Sequence, residues 1–336
     1  MPFGEIVCGS PGSGKSTYCH GKYQLFTALK RPIYIVNLDP ANDNIPYPCA
    51  IDIADLVSLL HVQAESGLGP NGGMLFCMEY LEANYDWLEE KLQELGNDAY
   101  VLFDIPGQVE LSTNHESLKQ IISKLTKTGF RLAAIHLCDA HYITDASKYV
   151  SVILLSLRAM LHLALPHINV FSKIDLISNY GDLDFNLNYY TEVQDLDYLD
   201  TSLEKSCPPR FAKLNMTLID ILKDHPIVGF ETLAVEDKTS MMHLTRLIDR
   251  VTGYVFVPPL DAPVPSDAAE VPRDLPPSSR PNVFGLFSTA VNAGKAYDVL
   301  DIQERWIDSK DEYDEWEKEQ WKKEGEALRT QKAAGA

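Results

Sequence analysis

The sequence has few basic residues, few cysteines and no long apolar run, and each shortage excludes a class of protein. Lys and Arg number 29 against 48 Asp and Glu, for a net charge of −19. A general surface for nucleic acid or anionic membrane is therefore not expected, because attraction to phosphate needs clustered cations. The 6 cysteines form no C-x-x-C pair, which indicates neither a zinc site nor a disulfide framework. No apolar run approaches the roughly 18 residues of a membrane helix.

What remains is the composition of a globular protein in a reducing compartment. Hydrophobic residues make up 45% of the 336 positions, and the length suits one large domain with extensions, or two domains. The N-terminus runs directly into an apolar strand and leaves no room for a signal peptide. We therefore expect a soluble, cytoplasmic protein that contacts no membrane and no nucleic acid directly, and whose partner is a protein with basic surfaces.

A phosphate-binding pattern follows the first apolar run. Residues 9–17 read Gly-Ser-Pro-Gly-Ser-Gly-Lys-Ser-Thr, which fits G-x-x-x-x-G-K-[ST] between a predicted strand and a predicted helix. Glycines let backbone N–H groups turn toward phosphate oxygens, Lys15 supplies a cation for the outer phosphates, and Ser16 places its hydroxyl on Mg²⁺. The predicted phosphate-binding residues are Gly12, Ser13, Gly14, Lys15, Ser16 and Thr17.

Short apolar strands alternate with helical segments along most of the chain. We predict further strands at 33–38, 100–105, 133–138 and 167–171, and helices at 16–28, 53–65, 80–95, 115–128 and 147–165. The strands are apolar on both faces, as are central parallel strands covered by helices. The predicted fold class is α/β: a three-layer P-loop NTPase fold with a mostly parallel central sheet, a helical insertion and a C-terminal extension.

Acidic residues follow two of these strands, at the sheet edge where ligands bind in this architecture. Asp104 opens the sequence Asp-Ile-Pro-Gly-Gln, which resembles the element of GTPases that senses the terminal phosphate. Asp104 would hold a water on Mg²⁺, the Gly107 N–H would approach the γ-phosphate, and Gln108 with Glu110 would orient the attacking water. Asp39, in a turn-forming Asp-Pro pair, is predicted to serve the Mg²⁺ shell or to activate water. The predicted metal ligands are Ser16, Asp39 and Asp104.

A Ser-Lys-x-Asp motif after the fifth strand predicts which base is bound. The Asp175 carboxylate would accept hydrogen bonds from guanine N1–H and the 2-amino group, a donor pair that adenine lacks. Lys173 would lie over the base, while Ser172 stands where the usual N-K-x-D motif has Asn. After a later apolar run, the backbone N–H of Ala234 is a candidate donor to guanine O6. The predicted base-binding residues are Ser172, Lys173, Ile174, Asp175 and Ala234.

Together these motifs resemble the GPN-loop GTPases, a small group of dimeric P-loop enzymes named for a Gly-Pro-Asn sequence. That sequence is present as Gly69, Pro70 and Asn71, and taken alone it is good turn chemistry. The resemblance covers about residues 1 to 255. The Ser-Lys-x-Asp form and the long C-terminal extension are most similar to the second of the three eukaryotic paralogues.

The resemblance implies a dimeric, Mg²⁺-dependent nucleotide switch that converts GTP to GDP. Its catalytic residues would be Asp39, Gln108, Glu110 and Asn71, with Asn71 reaching the terminal phosphate in the partner subunit's site. The dimer would contain two copies of this chain, or this chain with a GPN-loop paralogue. The resemblance also implies a role in the assembly and nuclear import of RNA polymerase II and related polymerases, with that polymerase's subunits as partners and shuttling between cytoplasm and nucleus.

Two other functions remain open on the sequence alone. A P-loop kinase would phosphorylate a nucleoside or a polynucleotide end, and it would need phosphate-clamping arginines, which are few near the motifs. A scaffold that binds GTP without hydrolysing it would use the same binding residues but would not depend on Gln108. The reaction products distinguish the kinase from a GTPase, and the rate of GTP hydrolysis distinguishes the scaffold from a GTPase.

Composition divides the chain into three parts. Residues 1–257 form the predicted GTPase domain, with an insertion rich in Asp, Asn and Tyr at 178–209. Residues 258–280 read as a Pro-rich linker, and 281–336 as a C-terminal extension with a charged helix. In that helix Ile302, Trp306, Tyr313 and Trp316 recur at about helical spacing, which predicts one apolar face. That face would cover the chain's own domain or, as the alternative, serve as a separate recognition helix.

Overall fold

The computed structural model describes residues 2–42, 44–96, 99–199, 202–203, 207–254 and 299–334. The predicted linker at 258–280 and residues 281–298 of the predicted extension lie outside this part of the chain.

A seven-stranded sheet forms the centre of the described structure, and all its strand pairs are parallel. The strand order is β3-β2-β4-β1-β5-β6-β7. The strands are β1 (Phe3–Gly9), β2 (Tyr34–Asn37), β3 (Ile51–Asp52), β4 (Tyr100–Asp104), β5 (Arg131–Asp139), β6 (His167–Ser172) and β7 (Phe230–Leu233). Every residue of β1 and β4 is buried, because helices cover both faces. The predicted α/β fold with a central parallel sheet is confirmed.

Helices follow most strands and complete the two outer layers. They are α1 (Lys15–Ala28), α2 (Leu59–Ser66), α3 (Pro70–Ala83), α4 (Tyr85–Glu94), α5 (Val109–Thr113), α6 (Glu116–Lys127), α7 (Ala146–Leu163), α8 (Leu187–Glu192), α9 (Ala212–Asp224), α10 (Lys238–Thr252), α11 (Val299–Gln303) and α12 (Lys310–Ala334). By length and mean hydropathy (1.2), α7 is the one helix in the described ranges that could cross a membrane. It is 50% buried within the protein, which accounts for its apolar composition.

Two predicted helices have other boundaries in the structure. The segment predicted as a helix at 53–65 begins as a 3₁₀ turn, Ile53–Asp55, which is capped by the Asp52 side chain, and continues as α2. The helix predicted at 80–95 is two helices, and the first of them starts ten residues earlier, at Pro70. Pro suits a first helical position because its missing N–H would be unbonded there in any case. Gly72 and Gly73 concealed this helix from the sequence pattern.

A buried ion pair joins the two elements on either side of the phosphate-binding sequence. Glu5 of β1 and Lys22 of α1 are both fully buried, with 2.6 Å between carboxylate oxygen and Nζ. Tyr18 donates a hydrogen bond of 2.7 Å to the other Glu5 oxygen, and Tyr100 donates to the same carboxylate. The strand before the loop and the helix after it are therefore fixed to each other.

The insertion and the C-terminal extension pack together beside β6 and α7. Leu187, Tyr190 and Leu196 of the insertion are buried in one apolar cluster with Ile302 of α11. Past Ile302 the predicted apolar face divides: Trp306 packs against this cluster, whereas Tyr313 and Trp316 are 37% and 58% exposed. The cause is a π-helical turn at Glu304–Asp308, after which Ser309 leaves helical geometry (φ −129°) and α12 starts with a new phase.

Candidate active site

The phosphate-binding sequence forms a loop between β1 and α1 at the carboxyl edge of the sheet. Gly14, directly before α1, has φ +89°, a left-handed conformation that favours glycine. The Lys15 ammonium lies inside the loop and donates to the carbonyl oxygens of Gly9 (3.1 Å) and Ser10 (3.3 Å). The Ser13 hydroxyl is buried and has no hydrogen-bond partner among the described residues. A buried, unpaired donor beside a lysine at a helix N-terminus fits a phosphate group.

Lys15 is 8% exposed, and its charge is balanced by two acids. Burial lowers the pKa of Lys15, while the nearby carboxylates of Asp104 and Asp39 act in the opposite direction. A partly desolvated ammonium of this kind interacts strongly with any anion that enters the loop, because the local dielectric constant is low. Lys15, Asp39 and Asp104 come from three separate stretches of sequence, and the structure brings them together.

Ser16 and Asp104 are in direct contact, as a shared metal site requires. The Ser16 hydroxyl donates to Asp104 Oδ2 over 2.8 Å, and the buried Tyr47 hydroxyl donates to the same oxygen over 2.7 Å. Asn42 donates a third hydrogen bond, of 3.3 Å, to Ser16 Oγ. Burial raises the pKa of Asp104 despite these donors, so its carboxylate lacks full compensation for its charge.

This donor set fits Mg²⁺. One hydroxyl and one carboxylate are hard oxygen ligands, and Mg²⁺ usually takes only one or two protein ligands and completes its shell with phosphate oxygens and water. Within the described ranges, no group of three or more His, Cys, Asp or Glu side chains could hold a metal by itself. The site therefore suits a cation that arrives with a nucleotide.

Asp39 lies in the tight turn after β2. Its Oδ1 accepts the Ala41 N–H at 3.0 Å, and its own N–H donates to Asn37 Oδ1 at 3.1 Å. Burial raises the pKa of Asp39, while Lys15 nearby opposes the shift. Asp39 therefore combines turn formation with a location near the phosphate loop, so both roles considered for it from the sequence are compatible with its geometry.

The loop after β4 meets the phosphate loop through Gly107. A Cβ atom at this position would lie 2.8 Å from Lys15 Nζ and 3.2 Å from Pro11 Cα, so only glycine fits without moving the lysine. Gln108 follows and caps α5, whereas Glu110 is exposed in the first turn of that helix. The two loops are therefore in contact where a terminal phosphate would lie.

The Gly-Pro-Asn sequence starts α3 and lies next to Gln108 of the same chain. Gly69 is extended, Pro70 is the first helical residue, and Asn71 is exposed in the first turn. The Gln108 side-chain amide donates to Asn71 Oδ1 over 3.1 Å. The segment is thus a helix N-terminus in place of the turn that its composition suggested. A role of Asn71 in a partner's site remains a prediction.

Ser172 connects the predicted base-binding motif to the phosphate loop. Its hydroxyl is directed at the carbonyl oxygens of Ser13 (2.7 Å) and Cys138 (3.2 Å). Lys173 has φ +59°, and its ammonium pairs with Asp139 Oδ2 at 2.6 Å. Burial alone would raise the pKa of Asp139, but hydrogen bonds from Lys173 and His141 hold it below its usual value. The serine in place of Asn is therefore a structural link between three elements.

Asp175 and Ala234 lie on neighbouring loops after β6 and β7. Asp175 is half-buried in a 3₁₀ turn, Ile174–Asn179, and burial together with Glu236 raises the pKa of its carboxyl group. The Ala234 N–H donates to Ser240 Oγ at 3.1 Å, so in this conformation that amide already has an acceptor. A contact between Ala234 and a base remains a prediction.

Four residues of this site were not identified from the sequence. Tyr47 and Asn42 lie in the loop between β2 and β3, where Pro and Asn indicate turns, and Asn37 is the last residue of β2, within a predicted strand. Asp139 could have been predicted from the sequence. It directly follows a predicted strand, and polar residues at the carboxyl ends of parallel strands are expected to lie at the ligand site, which is how Asp104 was identified.

Comparison with known proteins identifies the family. Residues 7–254 match a family described as "Conserved hypothetical ATP binding protein". The chain is 47% identical over 313 residues to GPN-loop GTPase 2 of Danio rerio, which covers 92% of this chain and 94% of the relative. It is 44% identical over 326 residues to GPN-loop GTPase 2 of Saccharomyces cerevisiae, and that alignment covers 95% of this chain and 88% of the relative.

A solved structure shares the fold. A GTPase in apo form from Pyrococcus abyssi matches with a TM-score of 0.60 at 23% identity, over 74% of this chain and 97% of that chain. The family description names ATP, whereas the relatives are named as GTPases. The resemblance predicted from the motifs, including the second eukaryotic paralogue, is confirmed by identity that extends over nearly the whole chain. The chain belongs to the GPN-loop GTPase family.

Proposed function

We propose that this GTPase hydrolyses the β–γ bond of GTP with Mg²⁺ and acts as a dimeric nucleotide switch. The observation that carries the proposal is the junction of two loops: Ser16 bonds to Asp104, and Gly107 lies against Lys15. The residues that hold the phosphates are thereby joined to the loop that would respond to the presence or loss of the γ-phosphate.

The phosphate loop would bind the triphosphate through backbone N–H groups and Lys15. Lys15 would give up its hydrogen bonds to the Gly9 and Ser10 carbonyl oxygens and donate to phosphate oxygens. Charged acceptors would thereby replace neutral ones, which makes the hydrogen bonds stronger. Ser16 and Asp104 would hold Mg²⁺, which supplies positive charge to the phosphates when bound. Ser13 would gain a partner for its buried hydroxyl.

Hydrolysis would proceed by in-line attack of water on the γ-phosphorus. The new O–P bond forms as the bond to the β–γ bridging oxygen breaks, and the electron pair leaves with GDP. The Gln108 amide would orient the water. Asp39, in the turn after β2 near Lys15, would accept its proton. Glu110, exposed in the first turn of α5, would position the same water.

Asn71 would contribute through subunit arrangement. Its amide can donate to developing negative charge without the desolvation cost of an ion, which is the role proposed for it in the partner's site. In the isolated chain its oxygen instead accepts from Gln108. Assembly as a homodimer or with a GPN-loop paralogue would therefore reorganise the residue that positions water, which links hydrolysis to the subunit interface.

The cellular role is proposed from family resemblance alone. It is assistance in the assembly and nuclear import of RNA polymerase II, from the cytoplasm with shuttling to the nucleus. The acidic chain, with net charge −19, suits a protein client with basic surfaces.

Competition between GDP and ADP tests the choice of base. We expect GDP to displace a fluorescent guanine nucleotide at least about 100-fold better than ADP, because adenine leaves the Asp175 carboxylate without its donor pair. Asp175→Asn should transfer the preference to xanthosine diphosphate, whose 2-oxo group accepts a hydrogen bond from an amide. Equal competition by ADP would contradict guanine recognition and agree with the family description that names ATP.

Product analysis tests the reaction. With GTP labelled in the γ-phosphate, we expect the label in inorganic phosphate. Label on an added nucleoside or oligonucleotide would favour the kinase, and retention of GTP in the dimer would favour the scaffold.

A further inference from the structure

The C-terminal extension crosses the loop that carries Asp175. Ile302 of α11 is 4% exposed and lies in the same apolar cluster as Ile177 of that loop. Gln303 accepts the Leu187 N–H of the insertion at 3.0 Å through its side-chain oxygen. The extension is therefore held on the domain by both apolar packing and a directed hydrogen bond.

Lys310, the first residue of α12, contacts the base-reading loop directly. Its ammonium donates to the Asp175 carbonyl oxygen over 2.6 Å and to Ser178 Oγ over 3.2 Å. Arg305, in the turn before α12, forms ion pairs with Asp314 (3.0 Å) and Glu317 (3.2 Å) of that helix. These pairs fix the start of α12 to the preceding turn. A half-buried, charge-assisted hydrogen bond to a backbone oxygen restricts where that backbone lies.

Lys310 also lies among the charges that act on the Asp175 carboxylate. Burial and Glu236 raise the pKa of Asp175, whereas Lys310 and Lys173 lower it. The Lys173 ammonium forms an ion pair with Asp139 at 2.6 Å, whereas the Lys310 ammonium is hydrogen-bonded to the backbone carbonyl oxygen of Asp175 itself. A carboxylate must be ionised to accept both guanine donors, and a nearby ammonium favours that form.

We propose that Lys310 is a positioning residue for base recognition, and that the C-terminal extension is a latch that holds the Asp175 loop in its base-reading conformation. This inference rests on the proposed recognition of guanine by Asp175. Its consequence is that release of the extension lowers affinity for the base while leaving the phosphate loop intact. Nucleotide release thus becomes sensitive to whatever binds or displaces α12.

The test separates the base from the phosphates. Dissociation constants of GDP, IDP and inorganic tripolyphosphate are measured with Mg²⁺ for the full chain and for Lys310→Met, Lys310→Arg and Lys318→Met. IDP lacks the 2-amino group that Asp175 reads, and tripolyphosphate has no base. Lys318 is an exposed lysine about two turns farther along α12, which makes it a matched control.

We expect Lys310→Met to weaken GDP binding about five- to tenfold, to reduce the GDP-to-IDP affinity ratio, and to leave tripolyphosphate binding within twofold. Lys310→Arg should restore most of the GDP affinity because it keeps a cationic donor, and Lys318→Met should behave as the unmodified chain. An unchanged GDP-to-IDP ratio in Lys310→Met overturns the latch. Equal losses for all three ligands also overturn it, because they indicate general destabilisation.

The outcome is distinguishable from failure of the proposed function. If the unmodified chain does not prefer GDP to ADP, guanine recognition by Asp175 fails and the latch fails with it. If the preference is present and Lys310→Met preserves it in full, the latch alone is wrong.

Discussion

The phosphate half and the base half of the site are built in different ways. In the phosphate half one contiguous loop supplies the backbone donors, Lys15 and Ser16, and the loops after β2 and β4 add Asp39, Asp104 and Gly107 beside it. In the base half the motif that carries Asp175 is held from three distant segments: Ser172 bonds to the Ser13 carbonyl oxygen, Lys173 pairs with Asp139, and Lys310 donates to the Asp175 carbonyl oxygen. The phosphate loop itself takes its shape from one contiguous segment, while the loop that carries Asp175 is held by a segment 135 residues away.

This difference teaches where the molecule can be regulated. A loop held by its own backbone changes little unless its residues change, whereas a loop held by docked segments responds to whatever moves those segments. Ser172 joins the two halves, because its hydroxyl contacts the Ser13 carbonyl oxygen of the phosphate loop. Substitutions in each half should therefore have separable effects.

The largest effect is expected for Gln108→Leu in the phosphate half. Loss of the amide that is proposed to orient water should lower single-turnover GTP hydrolysis about 100-fold, while GTP and GDP binding stay within twofold. Gln120→Leu changes an exposed glutamine on α6 and serves as the control. The measurement is release of inorganic phosphate after rapid mixing. Hydrolysis that persists in Gln108→Leu would remove Gln108 from the mechanism.

Gly107→Ala should be the next in size. The added methyl group would lie 2.8 Å from Lys15 Nζ and should displace that ammonium, which we expect to weaken GTP binding about tenfold. Gly229→Ala is the control, since the nearest atom to a Cβ there is 3.6 Å away. Titration with a fluorescent, non-hydrolysable GTP analogue measures the affinity. Unchanged affinity would show that the two loops separate when nucleotide binds.

Ser172→Ala tests the link between the halves. The Ser13 and Cys138 carbonyl oxygens would lose a buried donor, at a cost of about 1 kcal/mol in the free energy of unfolding, and GDP affinity should fall about fivefold. Ser151→Ala removes an exposed hydroxyl on α7 and should change neither quantity. Urea unfolding and GDP titration are the measurements. A fall in stability without any fall in affinity would make Ser172 a purely structural residue.

The smallest effect at neutral pH concerns His136, a buried residue of β5 that bonds to Asn169. Burial lowers the pKa of His136 to about 4, below the value of about 6.5 for an exposed histidine. Its contribution to stability is complete above pH 6.5 and is lost as the pH falls toward 4, because only the unfolded chain takes up the proton. Between pH 7 and 4.5 the unmodified chain should lose about 2 kcal/mol more unfolding free energy than His136→Gln. Equal acid sensitivity of the unmodified chain and His136→Gln would contradict the assignment.

Sequence predicted the phosphate half better than the base half for a physical reason. Lys15 and Ser16 follow from spacing within one loop, and Asp104 follows from its place at a strand end. Tyr47 could not be found, because its bond to Asp104 spans 57 residues and no local pattern in its Pro-rich loop indicates that contact. Lys310 contacts Asp175 across 135 residues, and no local pattern specifies where a helix will dock. The start of α3 at Pro70 was hidden by two glycines that favour turns.

The ion pair between Glu5 and Lys22 has a consequence for the thermodynamics of the cradle between them. Because this buried pair holds the strand and the helix together, part of the entropy cost of ordering the loop is met during folding and does not oppose the binding of each ligand. The phosphate loop should then keep the same conformation when product leaves, so that each turnover begins from that conformation. If either charge is removed, the loop should become less rigid, and each nucleotide would then have to order it on binding.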